Sequence, residues 1–168
     1  VHRVSSCSLQ TLALGLAEGT SSPGSVALRP LGPGRHELIV CHHYVNLLSH
    51  HLIGEHDAGG RHWYSGSAIL LRQDLDVPDG VALSPDGYWI AISNHGTAEV
   101  LIYENTSDLT PKSPPVGVLQ GTHYPHGLCF TPDSRILLVA DAGQPLLHLF
   151  HAGSQGWRGP RQASERLQ

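Results

Sequence analysis

The chain has 168 residues, 40% of them hydrophobic, and a formal net charge of −4 with histidine neutral. That is enough for one ordinary hydrophobic core, and the composition is not that of a disordered chain. Its ten Lys and Arg residues form no basic run and interleave with no aromatic set, so nucleic acid is not an expected partner. No stretch approaches the roughly 18 apolar residues of a membrane-spanning helix; the chain reads as soluble, without a membrane partner, and its compartment stays open.

Nineteen Gly and twelve Pro beside two Phe and no Met point to many short elements joined by turns, hence an all-β class. Cys7, Cys41 and Cys129 are odd in number and widely spaced, which fits neither a disulfide framework nor a paired-cysteine zinc site. The first residue is Val, so the sequence reads as a segment of a longer chain.

In chain order, Val4–Ser8 and Thr11–Leu16 suggest the last two strands of a unit that ends near residue 20. A unit over residues 24–76 follows. It opens at Val26, has a long first turn, a strand at Glu37–Val40 and a fourth strand at Ala68–Leu71. Trp63 and Tyr64 fall in the loop before that strand and are expected to be exposed. The unit over 77–122 has strands at Val81–Ser84, Tyr88–Ser93, Glu99–Tyr103 and Val116–Leu119. The last unit, 123–168, repeats the same design from Gly127 to His151, displaced by 47 residues, and is expected to be incomplete, with three strands.

Each copy runs from an apolar strand through a turn, Pro-Asp-Gly or Pro-Asp-Ser in the copies from Gly80 and Gly127, into a second apolar strand, then through a polar turn into a third. Proline presets φ while Asp and Gly tolerate the conformations that reverse the chain, so these are antiparallel meanders. The unbroken apolar runs Trp89–Ile92 and Ile136–Val139 suit strands covered on both faces, as when sheets stack around an axis. The fold expected is a partial β-propeller of about three four-stranded antiparallel blades. Propellers use about 4–8 blades, and an open arc leaves bare sheet edges, so the remainder of the same chain is expected to close the ring.

Pro125-His126, Pro132-Asp133-Ser134 and Val139-Ala140-Asp141-Ala142-Gly143 lie in one blade. This arrangement resembles the propellers with YVTN-type repeats, which include seven-bladed lactonases of the 6-phosphogluconolactonase type. The resemblance implies that architecture and, as an activity, hydrolysis of a sugar lactone. After Gly143 the family pattern continues with Thr, Asp and Arg, whereas this chain has Gln144, Pro145 and Leu146, so a basic substrate-contacting residue is missing. NHL-type propellers and senescence-marker-like gluconolactonases share the Gly-Val-Ala and Val-Ala-Asp segments. Trp-Asp dipeptides at strand ends and the repeated paired glycines of the kelch type are lacking, which argues against WD40 and kelch propellers.

In a four-stranded blade the loop before the inner strand and the turn after the second strand emerge at one end. That places Asp79, Asn94, His95, His123, His42 and His43 on a candidate ligand-binding face. His126 and Asp141 form the candidate catalytic pair, an imidazole that titrates near neutrality beside a carboxylate that can fix its tautomer. The alternative is that these residues cap turns, with His126 merely standing where Asp79 stands in the preceding copy.

Thirteen histidines suggest metal binding, but His42-His43 and His50-His51 are adjacent on strands and point to opposite faces. No paired cysteines or His-Glu-x-x-His segment supplies a ligand set, so no metal site and no cofactor are expected. Glycine pairs lie between strands, and no Gly-x-Ser-x-Gly elbow surrounds a serine. Two functions remain: a propeller module that binds a small molecule or protein at the loop face, or a lactonase-like hydrolase. The sequence leaves open whether the chain is an enzyme.

Overall fold

The computed structural model describes residues 20–54 and 63–167. The suggested strands of the leading unit, Cys7, His56 and His62 lie outside these residues. The first sheet contains β1 (Pro23–Gly32), β2 (Arg35–His42), β3 (Leu47–Gly54) and β4 (Trp63–Leu71), joined in sequence order. The second contains β5 (Pro78–Leu83), β6 (Trp89–Asn94), β7 (Glu99–Glu104) and β8 (Gly117–Gln120), and the third β9 (Pro125–Phe130), β10 (Ile136–Asp141) and β11 (Leu146–His151). Three antiparallel meanders side by side make a partial propeller.

The hairpin turns form for the reasons the sequence suggests. In the second sheet the Gly87 N–H donates to the Ser84 carbonyl at 2.8 Å, and Gly87 takes a φ of +80°. In the third, the Ser134 N–H donates to the Thr131 carbonyl at 2.8 Å with Ser134 at φ +60°, so a serine carries the left-handed conformation that glycine adopts more easily. Asp86 and Asp133 each accept a hydroxyl hydrogen bond from the residue two before, Ser84 and Thr131.

Strand alternation distributes the core. Ile90 and Ile92 pack toward the first sheet, in a cluster with Ile39, Cys41, Leu48 and Leu71. Ala91, between them in sequence, packs toward the third sheet, in a cluster with Phe130, Leu137, Val139 and Phe150. The middle sheet is therefore covered on both faces, which is why its strands are apolar at successive positions.

Three features depart from the sequence expectation. The fourth strand of the first sheet starts at Trp63, and Trp63 and Tyr64 are half-buried members of it. The Trp63 indole lies across Gly54, where a Cβ would fall within 1.7 Å of the ring, so the glycine opposite makes room for it. The third sheet gains a fourth strand, β13 (Glu165–Leu167), paired with β11. Between these, β12 (Gly159–Gln162) pairs in parallel with β8 and makes the second sheet five-stranded.

Trp157 accounts for that exchange. It is fully buried with Phe130 and Phe150 between the second and third sheets, and its indole N–H donates to the Ser134 carbonyl at 3.0 Å. Anchored there, the chain emerges beside β8, where the Gly159 N–H reaches the Val116 carbonyl at 2.9 Å. It then returns to β11, so the last 11 residues described, 157–167, stitch two sheets together.

Candidate functional site

The ladders show which residues of the three sheets are equivalent. Pro23 pairs with His42, Pro78 with Asn94 and Pro125 with Asp141, each at the start of an inner strand. His42, Asn94 and Asp141 are thus one structural position, and each ties down the loop before its inner strand. His42 Nδ1 lies 3.0 Å from the Ser21 carbonyl. Asn94 Oδ1 accepts the Asp76 N–H at 2.7 Å, and its Nδ2 donates to the Asp74 carbonyl at 3.1 Å. Asp141 accepts the N–H groups of His123 and Tyr124 at 2.8 Å each and of Gly143 at 3.0 Å.

Asp141 is also held at Oδ2 by His148 Nε2, 3.0 Å away, with both side chains fully buried. A carboxylate only accepts, so this imidazole carries its proton on Nε2. Burial pushes the Asp141 pKa up, but the three N–H groups and His148 outweigh it and hold the carboxyl below its usual value. These four bonds bind Asp141 to its loop and to the core. The structure joins it to His148, while His126 turns to a different carboxylate.

That carboxylate is Asp79, the second residue of β5. His126 is the second residue of β9, the equivalent place in the next sheet, and its Nδ1 lies 2.5 Å from Asp79 Oδ2. His95, directly after the Asn94 clamp, places Nε2 3.6 Å from the same oxygen. His43, directly after the His42 clamp and within a short 3-10 turn (His43–Val45), places Nδ1 3.3 Å from Asp79 Oδ1 and 3.2 Å from the Pro78 carbonyl. One carboxylate thus gathers three imidazoles from three sheets at one end of the inner strands. His95 is edge-on to both His43 and His126, and Tyr124 leans over its ring with centroids 4.3 Å apart.

The loop that carries Asp79 is fixed on both sides. The Val77 N–H donates to Asn46 Oδ1 at 2.9 Å, and the Val77 carbonyl accepts the His95 N–H at 3.1 Å. Val77 itself has φ +51°, a costly conformation for a β-branched residue. Behind Asp79, Ser93 bridges two sheets: its hydroxyl accepts the Gly80 N–H at 2.6 Å and donates to the His126 carbonyl at 2.8 Å. The inner strands meet so closely that a Cβ on Gly80 would lie 2.1 Å from that carbonyl oxygen.

Burial separates the members of the cluster. The side chain of His126 is 56% exposed, whereas that of His95 is 6% exposed and Asp79 14%. Burial lowers the His95 pKa, opposed by the Asp79 charge and reinforced by His126 and His43, so the ring is biased toward its neutral form. Cys41 is buried, and desolvation, with Asp79 nearby, pushes its thiol up to about 12, which leaves it inert as a nucleophile.

A second group of histidines is sealed inside the first sheet. His42 Nε2 and His51 Nε2 each lie 2.7 Å from Ser49 Oγ. Because His42 Nδ1 faces a carbonyl and must donate, its Nε2 accepts from the serine hydroxyl, and His51 Nε2–H then donates to Ser49. All three side chains are buried, and His51 Nδ1 has no hydrogen-bond partner. His50, next in sequence, points the other way, to Glu37 Oε1 at 3.1 Å.

Of the residues expected at the loop face, the structure brings Asp79, His95, His126 and His43 together. Asn94 and His42 are buried clamps, and His123, exposed, contributes its N–H to Asp141. Ser93, Ser49 and His148 carry no mark in the sequence that sets them apart. The 47-residue displacement does carry a usable signal, since it maps Asp141 onto Asn94 and so marks both as clamps.

No protein-family model and no curated protein matches the chain. Solved structures do. A putative 6-phosphogluconolactonase from Bacteroides fragilis superposes with a TM-score of 0.59 at 18% identity, covering 84% of this chain and 38% of that one. The periplasmic gluconolactonase PpgL of Pseudomonas aeruginosa gives 0.54 at 19% identity, covering 81% and 41%. A chain of the nidogen/laminin complex gives 0.50 at 16% identity, covering 89% and 48%. At these identities the likeness establishes the propeller-like fold alone, and the chain spans about two fifths of the length of the two lactonase-type structures.

Proposed function

We propose that the chain is a propeller segment whose inner-strand loop end binds a small polar ligand. The observation that carries this reading is Asp79 with His43, His95 and His126 around it, contributed by three sheets and open to solvent on the His126 side. A core function does not call for such an arrangement, because the equivalent clamp residues already hold the loops. Direct binding is tested by calorimetric titration of sugar acids and their lactones. Saturable binding that Asp79→Asn removes supports the reading, and equal binding in the variant contradicts it.

A second reading is a lactonase-like hydrolase with repeats of the YVTN type, supported by Pro125-His126 and Val139-Ala140-Asp141-Ala142-Gly143 and by the Asp79–His126 contact. With Nδ1 held by the carboxylate, Nε2 of His126 is the nitrogen left to take a proton from water. The resulting hydroxide adds to the lactone carbonyl, the ring C–O bond breaks, and the imidazolium returns its proton to the leaving alkoxide. Asp79 takes the orienting role that the sequence suggests for Asp141. Turnover of a sugar lactone that His126→Ala abolishes would establish hydrolysis; binding without turnover would leave the binding module.

A further inference from the structure

We propose that Asp79, His95 and His126 form a binding site for a divalent transition-metal ion of the zinc type. The inference rests on the reading of this end as the ligand-binding face and names the ligand class. One donor atom from each of the three residues lies within 4.8 Å of the others. Ligands on a tetrahedral zinc at 2.0–2.1 Å sit about 3.4 Å apart, and Asp79 Oδ2 to His95 Nε2 is 3.6 Å. His126 is closer to Asp79 than that, but it is the exposed member and has room to swing back as an ion enters.

A second, independent observation points the same way. His95 Nε2 is buried and has no hydrogen-bond partner, although it faces a carboxylate oxygen. A buried polar nitrogen left without a partner is unfavourable, and a metal ion between it and Asp79 would satisfy it. The surroundings suit such an ion. His43 holds the other carboxylate oxygen, Oδ1, and is itself placed by the Pro78 carbonyl, an outer tie of the kind that orients metal-binding carboxylates. Two imidazoles and one carboxylate favour zinc, cobalt, nickel or copper over magnesium and calcium, which take all-oxygen sites.

Three protein ligands leave a fourth position on the solvent side, beside His126. There the ion would polarise a carbonyl or acidify a bound water. The ion would supply there a positive charge that Gln144-Pro145-Leu146, with no arginine, does not. Sequence spacing hides the set, because Asp79, His95 and His126 come from two sheets and no two of them are close enough in the chain to form a motif.

The test is titration of the whole metal-stripped chain with cobalt(II) chloride, read by visible absorption, and with zinc chloride, read by calorimetry. One site is expected, with the intense visible bands of a low-coordinate cobalt. His95→Ala and His126→Ala should each weaken zinc binding about 10–100-fold or more. His151→Ala, on an exposed residue of β11, should leave it unchanged and controls for the many other histidines. Zinc should raise the melting temperature of the parent chain and not that of His126→Ala, which removes an exposed side chain. Absence of a one-site isotherm, or an isotherm indifferent to both ligand variants, overturns the proposal. Because no organic ligand is present, that failure leaves sugar-acid binding by the metal-free chain standing.

Discussion

The two histidine groups of this chain use the same residue types for opposite ends. In the first sheet His42, Ser49 and His51 are sealed, each ring tautomer is dictated by its neighbours, and the network ties β2 to β3 and to Ser21. At the loop end His43, His95 and His126 surround one carboxylate, the groups come from different sheets, and one ring is mostly exposed. Serine between two imidazoles looks like nucleophile chemistry, yet nothing can reach it. Accessibility and shared contact with a single charge, more than residue identity, separate a site from a scaffold in this chain.

The sharpest way to break this contrast is to remove the serine. Ser49→Ala leaves two buried ring nitrogens without their partner, each costing about 1–3 kcal/mol, so urea denaturation should show a loss of about 2–4 kcal/mol. Zinc or sugar-acid binding should be unchanged in the folded fraction. A variant as stable as the parent would mean that the hydroxyl is not the bridge.

Acid tests the sealed group next. Burial, then the charges of His50 and His42, lower the His51 pKa to about 4 from 6.5. Between those values the unfolded chain binds the proton and the folded chain does not, so stability falls as pH drops from 6.5 to about 4, by about 3 kcal/mol at most, and this contribution levels off below. Asp141 acts in the acid range beyond, because its lowered pKa contributes stability that is present above its unfolded value of about 3.8 and lost as pH falls through the folded one. Denaturation midpoints across pH 3–8 that are flat between 6.5 and 4, or equal in His51→Gln, would contradict the assignment.

Much of the fold is legible in the sequence because a repeat converts one pattern into three predictions. Pro85-Asp86-Gly87 and Pro132-Asp133-Ser134 mark equivalent turns, and Trp89–Ile92 announces a strand covered on both faces. The site is half legible. Loop-end geometry selects Asp79, His95 and His126, but sequence position along a strand does not say which neighbouring sheet a side chain faces. Hence the sequence matches His126 with Asp141 of its own sheet, when its partner is Asp79 of the sheet before. The β12 exchange depends on where one buried indole, Trp157, lodges, and no periodicity in Gly159–Gln162 signals it.

Smaller effects probe the open group. Gly80→Ala would force β5 and β9 apart at the His126 carbonyl, with a cost of about 1–3 kcal/mol typical of overpacking and a larger proportional loss of ligand binding. Full binding in that variant would show that the close approach does not position the site. His126→Ala should cost only about 0.5–1 kcal/mol of stability, the worth of its partly exposed contact with Asp79, while binding at the loop end is lost.

The central claim is that residues 47 apart in sequence, on neighbouring sheets, meet at one end of the axis. A double-mutant cycle on unfolding free energy, with Asp79→Asn and His126→Ala alone and combined, tests it most directly. Contact between the partly exposed groups predicts a coupling of about 0.5–1 kcal/mol. Costs that add to within about 0.3 kcal/mol would mean that the two side chains do not meet, and the gathering of the histidines around Asp79 would be wrong.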